Sequence, residues 1–126
     1  MLKHVLYWTL AATVALAASA IGNPAAAKKV TLKGEIVDTG CYLGHAAHGE
    51  KHIGCATKCV ANGMPISLLT SSGKLYLLTP NHENLDPFNK AKELAGKTVE
   101  VSGTLMQGSG LLAIDVTDVK AATPAK

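Results

Sequence analysis

The chain has 126 residues, 48% of them hydrophobic, and its twelve Lys stand against nine acidic residues for a formal net charge of +3. It contains no Arg and few aromatic residues, which excludes the basic, base-stacking surface that a single-strand nucleic-acid binder needs. The length suits one domain of modest core, a size class often stapled by a disulfide or a metal.

Lys3 precedes a stretch from Val5 to Ile21 without a charged residue, followed by Gly22-Asn23-Pro24 and the small-residue run Ala25-Ala26-Ala27. A positive end, an apolar middle and small residues at the cut define a secretory signal peptide over residues 1–27, with Lys28 first in the mature chain. A cut after Ala20 is the second option. An uncleaved anchor is the other reading, but the apolar run is shorter than the span of about 20 residues that a bilayer asks for. The expected location is therefore the periplasm, with no stable membrane insertion after processing.

In the mature part, Val30, Leu32, Gly34 and Ile36 alternate with polar residues, the period of a half-buried strand. A polar stretch from Asp38 to Gly54 follows, then a short helix expected from Cys55 to about Asn62, stopped by Gly63 and Pro65. Strands at Ile66–Thr70 and Lys74–Thr79 flank Ser71-Ser72-Gly73 as a hairpin. Asp86 as N-cap and Pro87 as first helical position open a helix that carries Phe88, Ala91, Leu94 and Ala95 on one face and ends at Gly96. Two last strands, Thr98–Met106 and Leu111–Val119, pair across residues 107–110, and residues 121–126 are expected to be a disordered tail.

The fold class expected is mainly β: a five-stranded OB-fold-like barrel over residues 28–120, with one helix between strands 3 and 4 and a short Cys-containing helix after strand 1. Val30, Leu32, Ile36, Val99, Val101, Ile114 and Val116 should point inward. A five-stranded open sheet packed by one helix is the alternative. The segments LKGEIVDTGC and GKTVEVSGTLMQGSGLLAIDVTDV resemble the first and the last two strands of small exported bacterial OB-fold proteins. That resemblance implies a closed barrel; the insertion at residues 38–63 departs from it.

The insertion holds the chemistry. CYLGHAAHGEKHIGCATKC contains Cys41, His45, His48, His52, Cys55 and Cys59, all candidate metal ligands. Thiolate and imidazole bind zinc, and thiolates also select monovalent copper. His52, Cys55 and Cys59 have helical spacing, and Cys41, expected at the end of the first strand, would complete the set. In an oxidising compartment a disulfide from Cys41 to Cys55 or Cys59 competes with this reading and leaves one thiol over. So does thiol–disulfide redox chemistry at Cys55 and Cys59, since a thiol at a helix N-terminus is activated. The C-x-x-x-C pair with a nearby histidine is similar to the copper-binding loop of Sco-type assembly proteins, which implies that such ligands suit copper. No CxxC, haem-attachment or HExxH spacing is present. Asp38 either orients a ligand histidine or turns the chain; Met64 and Met106 read as core residues, Glu50 as a loop charge and His82 as a turn residue.

The function expected is a non-catalytic periplasmic metal-binding protein holding zinc or copper, with the metal ion and a periplasmic protein as partners and no nucleic acid. Intact mass of the exported protein should correspond to a chain starting at Lys28; a full-length mass in the membrane fraction would show that the leader is kept.

Overall fold

β1 (Lys28–Asp38) is shared between two neighbours, and that sharing closes the sheet. In the computed structural model, which describes residues 27–122, its first part pairs antiparallel with β4 (Thr98–Gly108) and its second part with β2 (Ile66–Thr70). Residues 1–26 of the expected signal peptide and residues 123–126 of the expected tail lie outside the described residues. At Gly34 both ladders meet, opposite Val99 on one side and Thr70 on the other. A Cβ there would press into the Leu69 carbonyl, so only glycine lets the strand bend from one half of the sheet to the other.

β2 turns back into β3 (Leu75–Pro80) as the hairpin the sequence suggests. β4 turns into β5 (Leu111–Ala121) through Ser109 and Gly110, whose φ values of 49° and 81° are both positive, the two-residue geometry that matches strand twist. Because this turn is so tight, β4 and β5 pair all the way to Gly108↔Leu111 and, at the other end, to Val99↔Ala121. Both strands are thus longer than alternation alone indicates, and Ala121 belongs to β5. β5 lies parallel to β3, from Leu77↔Ala113 to Pro80↔Val116. The result is a closed barrel in the order β1-β2-β3-β5-β4, the OB-fold arrangement.

The core includes Ile36, Ile66, Leu68, Leu78, Val99, Val101, Ile114, Val116 and Val119, every one almost wholly buried. Val30 and Leu32 point the same way but remain partly buried at its rim. The helix between β3 and β4, α3 (Asp86–Glu93), packs against β3 and β5 and adds Ala91, with Ala95 just beyond it. It starts one residue sooner than expected: Leu85 is the N-cap, because Asn84 Oδ1 accepts the Asp86 N–H at 3.0 Å and draws that residue into the first turn.

The larger difference lies after β1. Where the sequence suggests only a polar stretch, the chain forms two short helical segments before the Cys-containing helix. They carry no buried residue, so no apolar periodicity announces them.

Val101 is 0% exposed in the barrel centre. Replacing it by Asp buries an unpaired carboxylate, and chemical denaturation should show a loss of several kcal/mol, at least about 3 kcal/mol. Near-wild-type stability of that variant would contradict the barrel register.

Candidate metal centre

α1 (Thr39–His45) starts where β1 stops. Asp38, 2% exposed, is its N-cap: Oδ1 accepts the Cys41 N–H at 2.7 Å, satisfying a donor that the helix itself leaves open. The junction is tied to the barrel twice more. The Thr39 N–H donates to the Pro65 carbonyl at 2.9 Å, and Thr39 Oγ1 shares a hydrogen bond of 2.8 Å with Ser67 Oγ. Cys41 is therefore inside a helix, not at the end of the strand, and Asp38 orients this cysteine's backbone in place of a histidine.

α1 ends at Ala46, left-handed at φ 54°, whose N–H returns to the Tyr42 carbonyl. A loop and a 3₁₀ turn (Glu50–His52) lead into α2 (Ile53–Ala61). Glu35, on the outer face of β1, pins the loop: Oε1 accepts the Gly49 N–H at 2.7 Å, and Oε2 lies 3.9 Å from His48 Nδ1. Sequence reasoning missed this residue, since an outward glutamate on a strand carries no signal of a partner 13 residues on. α2 lays Ala56 and Val60 on the barrel core. Its N-terminal residue Ile53 sits so close to the turn before β4 that a Cβ at Gly96, itself at φ +79°, would lie 2.8 Å from Ile53 Cα. Gly96 is thus what allows α2 to dock.

The neighbouring i, i+4 pair on α2, Cys55 and Cys59, turns towards α1. The sulfurs of Cys41, Cys55 and Cys59 all lie within 4.8 Å of one another. All three are free thiols; Cys41 and Cys59 are half-buried and Cys55 is exposed. Three thiolates at a metal–sulfur distance of about 2.3 Å stand about 3.8–4.0 Å apart, so movements of about 1 Å suffice to close the group on one ion.

Burial pushes the Cys41 thiol up to about 12 from its usual 9.0, and the Asp38 charge, the hydrogen bond with Cys59 and the other two thiols act in the same direction. Cys59 is raised as well, by burial first and then by its hydrogen bond with Cys55. A position near a helix N-terminus favours thiolate, but at Cys41 burial and the neighbouring carboxylate outweigh it. Asp38 Oδ2 is buried without a hydrogen-bond partner. A cation among the three sulfurs would favour their ionised form against the burial and the Asp38 charge that oppose it.

The histidines lie outside the three-sulfur group. His52 is the N-cap of α2 and makes no side-chain capping bond; its ring centroid is 6.3 Å from that of His45. His48 is exposed beside Glu35, edge-on to Tyr42 at 6.1 Å. Met64 and Met106 are 47% and 40% exposed and are not core residues. Met64 follows the left-handed Gly63 that ends α2, and Met106 stands where β4 runs out past the barrel. Glu50 is exposed at the start of the 3₁₀ turn, and His82 lies in the bend organised by Asn81 Oδ1.

Comparison with known proteins finds no family model, no curated protein and no solved structure that matches this chain. The barrel and the three-sulfur group are what define it.

The raised Cys41 thiol has a consequence for stability. The folded state holds this proton more tightly than the unfolded chain, so its contribution is complete below pH 9.0 and is lost as pH rises towards about 12. Thermal unfolding of metal-free protein over that range should show wild type losing stability that the Cys41→Ser variant does not lose. Parallel pH profiles for the two proteins would show that Cys41 is not held as described.

Proposed function

We propose that the protein is a non-catalytic metal-binding protein of the periplasm that holds zinc or copper through the thiolates of Cys41, Cys55 and Cys59. The observation that carries this reading is the convergence of three sulfurs, from two helices far apart in the chain order of the insertion, within 4.8 Å. The donor chemistry fits: thiolates are ligands for zinc and select monovalent copper among softer ions. Asp38, with one buried oxygen unpartnered, supplies fixed negative charge beside the sulfurs. Cys55 is exposed, which leaves the group open to exchange with solvent and favours handling of the ion over a sealed structural role. The placement in the periplasm rests on the signal-like N-terminus.

The same proximity supports the rival reading, a thiol–disulfide protein. A disulfide uses two sulfurs, however, and gives the third no part, whereas an ion uses all three. Metal analysis with a thiol count on protein purified without oxygen decides between them. The expected result is one equivalent of zinc or copper, with three thiols that react slowly with alkylating reagents and quickly after chelation. Because binding must expel the thiol protons, retention of the ion should fall as pH drops. Absence of metal together with a single free thiol would overturn the proposal in favour of a disulfide.

A further inference from the structure

The ligand-type side chains of the insertion form two layers. On α1, Cys41 and His45 are four residues apart and so share a face, one turn or about 5.4 Å between levels. On the 3₁₀ turn and α2, His52, Cys55 and Cys59 follow at intervals of three and four, again on one face. Cys41 meets Cys55 and Cys59, and His45 meets His52. The two segments therefore pass each other in opposite directions, and their pairing stacks a layer of imidazoles over a layer of sulfurs. Both layers reach solvent: His45 and Cys55 are exposed, and His52, Cys41 and Cys59 are half-buried.

The ring centroids of His45 and His52 are 6.3 Å apart and tilted by 59°. Two imidazoles bound at about 2.0–2.1 Å from nitrogen to metal place their centroids about 5.2 Å apart at a tetrahedral angle and about 6.4 Å apart when they face each other in line. The observed separation leaves room for one ion between the rings and is nearer the in-line spacing. In-line coordination by two nitrogens is a habit of monovalent copper, and three sulfurs without a fourth ligand also suit that ion, whereas zinc asks for four ligands. We propose that His45 and His52 form a second, outer copper(I) site that receives the ion from solvent and passes it inward to Cys41, Cys55 and Cys59. The transfer rests on the reading of the three-sulfur group as a metal site; the outer site itself does not. In the transfer, copper–nitrogen bonds break as copper–sulfur bonds form, the thiol protons go to water, and copper stays monovalent throughout.

The test uses mature protein without oxygen, titrated with copper(I) supplied as its bicinchoninate complex. In Cys41→Ser/Cys55→Ser/Cys59→Ser protein, one copper should still bind weakly, and adding His45→Ala and His52→Ala should abolish it. In the thiol-containing protein, His45→Ala/His52→Ala should reach the same final thiolate-to-copper absorption but load about tenfold more slowly. Neither histidine side chain caps a helix, and circular dichroism should be unchanged. The proposal is overturned if the serine protein binds no more copper than the form that also lacks both histidines, or if loading is as fast without the histidines. Binding of zinc in preference to copper by the serine protein overturns the choice of ion. Absence of thiolate-to-copper absorption in wild type, with copper still on the serine protein, overturns the three-sulfur reading and the transfer but leaves the outer site standing.

Discussion

Everything distinctive about this protein depends on one buried carboxylate. Asp38 ends β1, caps α1 and fixes the backbone of Cys41. A carboxylate 2% exposed is costly unless its oxygens are satisfied. One oxygen has the Cys41 N–H, and the other has nothing in the protein. The same charge raises the neighbouring thiol. A group so placed makes this site electrostatically uncomfortable, and a cation bound among the sulfurs would relieve it.

The barrel supplies the rigidity that this arrangement needs. Its core is aliphatic, with Val and Ile at most central positions, so nothing in it titrates or competes for metal. The insertion contributes Ala56 and Val60 to that core, while Gly96 admits Ile53 against the opposite turn. α2 is therefore seated on the barrel by apolar contacts, and α1 is joined to it by hydrogen bonds at Asp38, Thr39 and Ser67. The sulfurs meet because two separately anchored helices end up side by side, not because one continuous helix presents them all.

The strands and α3 were legible in the sequence because alternation, hairpin residues and the Asp-Pro start each report a local physical need. Ile36, Val99, Val101, Ile114 and Val116 fall inside as their period requires. The three cysteines were legible as a group from spacing and chemistry. What could not be read was the path between them. α1 has no apolar stripe and ends on an alanine in the left-handed region, a position where glycine is the usual signal. Without that helix, the pairing of His45 with His52 is invisible, and helical spacing to Cys55 and Cys59 singles out His52 alone. The exposure of Met64 and Met106 was hidden for a related reason, since flanking apolar residues say nothing about where a strand or helix leaves the core.

The register at the mouth of the insertion has a broader meaning. Asp38 and Ile66 are cross-strand partners, so residues 39–65 depart from and return to a single rung of the ladder. Such an excursion is a cassette: its length can change without shifting any strand by a residue, and a shift of one residue would turn a whole strand inside out. What the barrel requires here is the rung itself, Asp38 opposite Ile66. Chemistry placed at this point leaves the strand register untouched, while Ala56 and Val60 keep it seated on the core.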